Sequence, residues 1–118
     1  MGNLDGAVAL VAGATRQVGR GVAVGLAEAG ATVYISSRRV TPGKRTSLGN
    51  PYWGSLNNTL AEIKKVGGQA IAVRCDHMKD DQTRALIDRI ESEQGRIDVL
   101  VNAVWSGYDR MRGAFPED

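Results

Sequence analysis

Ala7-Val8-Ala9-Leu10-Val11-Ala12-Gly13-Ala14-Thr15-Arg16-Gln17-Val18-Gly19 opens the chain's first ordered pattern. Residues 7–12 are short, apolar and not alternating, as expected of a parallel strand covered on both faces. A glycine turn follows, and Val18, Val22, Leu26 and Ala29 then step by four, four and three along one helical stripe that Gly30 stops. A glycine at a strand-to-helix turn lets the backbone approach a phosphate closely. The helix N-terminus adds unpaired N–H groups and the positive end of its dipole. Gly-x5-Gly alone says little; its place directly after the first strand gives it weight. No Gly-Lys-Ser/Thr follows, so a P-loop is excluded. Gly19, Gly21 and Gly25 fall inside the helix, where they are expected to allow close helix–sheet packing.

Working outward, three further apolar runs read as buried strands: Thr32-Val33-Tyr34-Ile35, Ala70-Ile71-Ala72-Val73 and Asp98-Val99-Leu100-Val101. Leu56, Leu60, Ile63 and Val66 form a second helical stripe ended by Gly67-Gly68. Leu86, Ile87 and Ile90 mark a third, with Asp80-Asp81 as candidate N-caps and Gly95 as its stop. Strand and helix alternate throughout, which implies right-handed crossovers and an α/β fold with a parallel sheet between helices.

The chain has 118 residues, enough for one domain with a sizeable core. Fifteen Lys and Arg against thirteen Asp and Glu give +2, too mild for a nucleic-acid interface. The single cysteine, Cys75, excludes an internal disulfide and a Cys-rich zinc site, and its place near a strand end reads as a buried core thiol. The N-terminus lacks the basic region of a signal peptide, and Gly6 stands where a myristoylation motif wants Ser or Thr. No apolar run approaches the ~20 residues that span a bilayer. A cytoplasmic protein without membrane or nucleic-acid partners is expected.

One segment breaks the rhythm. Residues 37–54 form a long polar connection with two prolines and three glycines, and no acidic residue occurs from Gly30 to Ala61. Arg38, Arg39, Lys44 and Arg45 make this insertion basic. It is either a solvated loop or a surface that attracts a phosphate-bearing ligand.

The stretch from Leu10 to Gly21 resembles the cofactor motif of the short-chain dehydrogenase/reductase family, Thr-Gly-x-x-x-Gly-x-Gly. Ala29-Gly30-Ala31-Thr32-Val33-Tyr34, Cys75-Asp76 and the run Gly95–Asn102 keep that family's order and spacing. The resemblance covers nearly the whole chain. It implies the N-terminal part of a single NAD(P)-binding domain over residues 1–118, a Rossmann-type doubly wound sheet of about four strands in the order 3-2-1-4 with three helices. Ala12 replaces the motif's Thr, whose hydroxyl ties the turn to the neighbouring strand. Gln17 replaces its middle Gly, which would cost about 1 kcal/mol or more if that position needed a positive φ.

The resemblance also implies a cofactor site built from Gly13, Thr15, Arg16, Gln17, Val18 and Gly19 at the turn. At the end of the second strand, NAD-binding sheets carry an acidic residue for the ribose 2′-hydroxyl. Ser36-Ser37-Arg38-Arg39 stands there instead. Ser37, Arg38, Arg39 and the turn's Arg16 therefore point to NADP, with NAD the less favoured dinucleotide. Asp76 is expected to accept from the adenine amino group, or else to cap the approach to the next helix. His77 beside it is expected on the cofactor wall or the surface, not as a base. Asn102, Ala103 and Val104 are expected to line the nicotinamide-side ribose through backbone groups. Trp105 and Tyr108 face a substrate or cover a fold edge.

Catalysis in the family uses a Tyr with a Lys four residues later, plus a Ser. Here Tyr34 is followed four on by Arg38, Tyr52 by Leu56 and Tyr108 by Arg112. No catalytic residue is therefore carried over, and the chain alone is not expected to turn over a carbonyl or alcohol substrate. Two other readings stay open: a non-catalytic dinucleotide-binding or regulatory module, and a truncated product without activity of its own. In the implied strand order Val99-Leu100-Val101 is an edge, so self-association there is expected.

Overall fold

The computed structural model describes residues 2–15, 17–40 and 55–104, with the backbone alone for Gln17. Seven elements alternate: β1 (Val8–Ala12), α1 (Gln17–Glu28), β2 (Thr32–Ser37), α2 (Leu56–Lys65), β3 (Gln69–Arg74), α3 (Asp80–Gln94) and β4 (Val99–Asn102). The strands form one parallel sheet in the order β3-β2-β1-β4. This is the α/β architecture and strand order that the sequence predicts.

The two faces of the sheet carry different cores. Ala9, Val11, Val33 and Ile35 face Ala23 and Ala27 of α1 and Leu56 and Ile63 of α2. Val8, Leu10 and Tyr34 face Leu86 and Ile90 of α3, with Cys75 among them. The period-two alternation of strand side chains explains why an unbroken apolar run is needed: each residue of β1 is buried on one face or the other.

The buried stripe of α1 differs from the one expected. Gly19, Ala23 and Ala27 face the sheet, Val22 and Leu26 pack at its flanks, and Val18 is 71% exposed. The helix lies too close to its neighbours for larger side chains at the centre of the contact; a Cβ on Gly68 would come within 2.7 Å of the Ala27 methyl. Gly21 and Gly25 do not serve close packing, because both are exposed with open space where a side chain would stand.

In α2, Val66 forms the C-cap and is 39% exposed, so it extends the stripe only in sequence. Ser55 is the N-cap, its hydroxyl accepting the Asn58 N–H at 3.1 Å. Lys64 and Lys65 occupy the last turn, where positive charge suits the helix dipole. Arg20 of α1 and Glu62 of α2 form an ion pair between the two helices.

The N-cap of α3 is Lys79; Asp80 and Asp81 lie one step later, in the first turn. Instead of either aspartate, side chains on both sides of the pair hold the bend into the helix. Asp76 accepts the Met78 N–H at 3.0 Å, and Gln82 accepts the Asp76 N–H at 2.8 Å. The two aspartates still place negative charge at the positive end of the dipole. Gly95 ends the helix in the left-handed conformation at φ 80°, as its position predicts.

Asp98 fixes β4 against β1. Its Oδ2 accepts the Val8 N–H at 2.8 Å, while its own N–H donates to the Val8 carbonyl at 2.8 Å. The Val8 N–H, with help from Arg96 at 2.9 Å, holds the Asp98 carboxyl below the usual range. β4 ends the sheet among the described residues: Leu100 is 65% exposed, whereas Val99 and Val101 are half-buried.

Most of the basic insertion, residues 41–54 with Lys44 and Arg45, lies outside the described residues. Its base is defined. Leu56 and Asn57 donate their N–H groups to the carbonyls of Arg39 and Val40 at 3.0 and 2.9 Å, so the first turn of α2 is anchored to the end of β2.

Candidate functional site at the carboxyl edge of the sheet

Parallel strands bring all their carboxyl ends to one edge, and that edge collects those expected site residues that are described. Gly13 leaves β1 at φ +83°, a conformation open to glycine. Its N–H and that of Ala14 both donate to the Ser36 carbonyl, at 2.9 and 3.2 Å. On the other side, a Cβ at Gly13 would lie 2.8 Å from the Ala103 carbonyl, and the Ala103 N–H donates to Ala12 at 2.8 Å. The turn is thus wedged between the ends of β2 and β4 with no room for a side chain. A Cβ at Gly19 would fall on the Gly13 carbonyl oxygen, so the second motif glycine closes the same turn from within α1.

Gln17 is the first residue of α1, and its backbone is helical. The strain that a positive φ would impose there is therefore absent. Thr15 is half-buried just before the helix and Val18 is exposed at its start. The helix N-terminus, with no acidic side chain in its first turn, presents its dipole to this corner. Arg16 and the Gln17 side chain lie outside the described residues.

At the end of β2, Ser36 is fully buried and Ser37 half-buried, with the Ser37 hydroxyl accepting the Arg39 N–H at 3.3 Å. Arg38 is exposed and Arg39 half-buried. The Arg38 carbonyl accepts from the Arg74 guanidinium at 3.3 Å. Among the described residues, the charged side chains that follow directly at the end of β2, Arg38 and Arg39, are cationic.

At the end of β3, Cys75 is buried, and burial pushes its thiol pKa up. Asp76 is half-buried, with one carboxylate oxygen accepting the Met78 N–H. It lies at the carboxyl edge and shapes the turn toward α3. His77 bridges three elements. Its Nε2 is 2.8 Å from the Ser36 hydroxyl, its Nδ1 3.0 Å from the Thr83 hydroxyl and 3.8 Å from the Cys75 sulfur. Either neutral tautomer is satisfied, because a hydroxyl can donate or accept. Burial lowers the His77 pKa, with the Asp76 carboxylate opposing more weakly.

At the end of β4, Asn102 and Val104 are exposed and Ala103 half-buried. The Asn102 side-chain oxygen accepts the Val104 N–H at 3.1 Å. With the Ala103 N–H already donated to Ala12, both amides at this corner are engaged within the chain. Trp105 and Tyr108 lie outside the described residues.

Sequence reasoning missed Thr59. Its buried hydroxyl donates to the Ala14 carbonyl at 2.6 Å, forty-five residues away in the chain. It missed equally that Ser36, read only as a hydroxyl near Arg38, has a carbonyl that receives the turn. No local signal marks either role, since each depends on the sheet being assembled. Gln82 and Thr83 could have been suspected as polar residues in the first turn of a helix beside Asp76.

The described residues include no helix long and apolar enough to cross a membrane. The short chain dehydrogenase family profile matches residues 7–113. Human dehydrogenase/reductase SDR family member 1 is 37% identical over 109 residues, which cover 92% of this chain and 31% of the relative. The 7alpha-hydroxysteroid dehydrogenase of Escherichia coli strain K12 is 34% identical over 88% of this chain and 36% of its own length. Among solved structures, a metagenomic short-chain oxidoreductase in complex with NADP superposes with a TM-score of 0.68 at 32% identity, covering 82% of this chain and 38% of that one. The chain spans about a third of the length of these relatives.

Proposed function

Because this chain belongs to the short chain dehydrogenase family, we propose that its carboxyl edge is the cofactor-binding half of an NADP-dependent oxidoreductase. The reaction is hydride transfer between the nicotinamide and a small carbonyl or alcohol substrate. The observation that carries this reading is the Gly13 turn. It is left-handed, closed to side chains and held between β2 and β4 at the N-terminus of α1, where a pyrophosphate needs close backbone approach. Gly13, Thr15, Gln17, Val18 and Gly19 cradle the phosphates, and Asp76 and His77 form the adenine side. Asn102, Ala103 and Val104 border the nicotinamide ribose.

Ser37, Arg38 and Arg39, joined by Arg16, receive the 2′-phosphate. The cationic end of β2 supports NADP over NAD, as does the NADP complex of a relative in this family. No Tyr in the sequence has a Lys four residues later, so turnover requires a catalytic pair from outside these 118 residues. That same observation favours a second reading, a non-catalytic dinucleotide-binding module. Exposed Leu100 on the edge strand supports its self-association. The free buried Cys75 suits a reducing, cytoplasmic setting.

Amide chemical-shift mapping with NADP tests the assignment. The expected result is that Gly13, Gly19, Ser37, Asp76 and Ala103 move together and saturate. Shifts confined to the opposite edge, around Asp5 and Gly68, would overturn it.

A further inference from the structure

We propose that Thr59, on α2, is a positioning residue for the pyrophosphate half of the cofactor, an inference that rests on the dinucleotide reading of the carboxyl edge. The motif hydroxyl that would tie the phosphate turn to its neighbour is absent, because Ala12 occupies that position. The turn instead has a hydroxyl tie from a different element. Thr59 is fully buried, and its Oγ1 donates to the Ala14 carbonyl at 2.6 Å, with the Ser55 carbonyl at 3.3 Å as a secondary acceptor.

Ala14 is itself fully buried, and its N–H is fixed on the Ser36 carbonyl at 3.2 Å. The peptide groups on both sides of Ala14 are therefore held, one from β2 and one from α2. Gly13 turns directly before it and α1 starts three residues after it. Rotation of the Ala14–Thr15 peptide would redirect the N–H groups that face a pyrophosphate, and the Thr59 bond opposes that rotation. Thr59 is in turn fixed by the Ser55 cap and by the donation of Leu56 and Asn57 to Arg39 and Val40. The element that carries the tie is thus anchored next to the residues that would meet the 2′-phosphate.

The test uses the full chain, its Thr59→Val, Thr59→Ser and Thr59→Cys variants, and two probes. NADP carries the pyrophosphate; adenosine 2′-monophosphate carries the adenine and 2′-phosphate with no phosphate at the 5′ position. Thr59→Val, similar in shape but without a donor, is expected to lose about tenfold in NADP affinity. It should keep adenosine 2′-monophosphate within about twofold, the same tolerance expected of Thr59→Ser for both probes. If the valine variant fails to fold, Thr59→Cys, a weak donor of similar size, carries the comparison with the same selective loss. Unchanged NADP affinity in the folded variant, or equal loss of both probes, would overturn the proposal. Failure of the unsubstituted chain to bind NADP would instead overturn the dinucleotide reading beneath it.

Discussion

The Ser36 hydroxyl lies 2.8 Å from Nε2 of His77, while the Ser36 carbonyl accepts the Gly13 N–H at 2.9 Å. One buried residue of β2 therefore connects the glycine turn after β1 with the corner after β3. The connection continues through the His77 ring to the Thr83 hydroxyl on α3. Two corners of the candidate site, on different strands, share one support.

This support titrates. His77 has a pKa below its unfolded value of about 6.5, because burial disfavours the imidazolium more than Asp76 favours it. Between the folded and unfolded pKa the unfolded chain binds more protons, so stability rises with pH there. Stability is expected to be complete above about pH 6.5 and to fall as pH drops through the folded pKa. Urea midpoints between about pH 7.5 and 5 should show this slope, and His77→Gln should flatten it. An equal slope in the variant would assign it to other groups.

The acid limb belongs elsewhere. Asp98 has a depressed pKa, chiefly through the Val8 N–H and then through Arg96, so its contribution is present above the unfolded value of 3.8 and lost as pH falls through the folded one. Asp98→Asn should lower the urea midpoint at about pH 6 and approach the unsubstituted chain near pH 2. A difference that persists unchanged at low pH would contradict this origin.

Glycines that look alike in sequence should respond in opposite directions. Gly13→Ala meets both the left-handed φ of +83° and the Ala103 carbonyl. It should cost about 2 kcal/mol or more, with loss of NADP binding. Gly21→Ala and Gly25→Ala enter open space on an exposed helix and should each gain about 0.5–1 kcal/mol. Denaturant titration of the three variants checks both signs.

Leu100 is 65% exposed on the edge strand, and its replacement by Lys places a charge where two strands would pair. Sedimentation velocity should show the unsubstituted chain self-associating and Leu100→Lys shifted toward monomer. Unchanged association would remove β4 from the interface.

β1 and β2 were legible because two-sided burial forces unbroken apolar runs, as in Val8–Ala12. β3 and β4, also expected to be buried, are only partly so because each lies at an edge of the sheet among the described residues. The face of α1 was not legible. Sequence favours the larger Val18 and Leu26 as core, but close approach to the sheet selects Gly19, Ala23 and Ala27. The α3 cap was misplaced because the Asp76 and Gln82 side chains, on either side of Asp80-Asp81, hold the bend into the helix. At the site, glycine and charge were readable from local spacing. The Thr59–Ala14 and Ser36–His77 bonds were not, since their partners meet only in the assembled sheet.

In the proposed function, Ser37, Arg38 and Arg39 at the end of β2 complete a dinucleotide site suited to a 2′-phosphate. Parallel calorimetric titration of NADP and NAD against the chain tests it most directly. Charge-assisted bonds from two arginines predict NADP binding tighter by roughly 100-fold. Equal or tighter binding of NAD would remove the 2′-phosphate role from Ser37, Arg38 and Arg39.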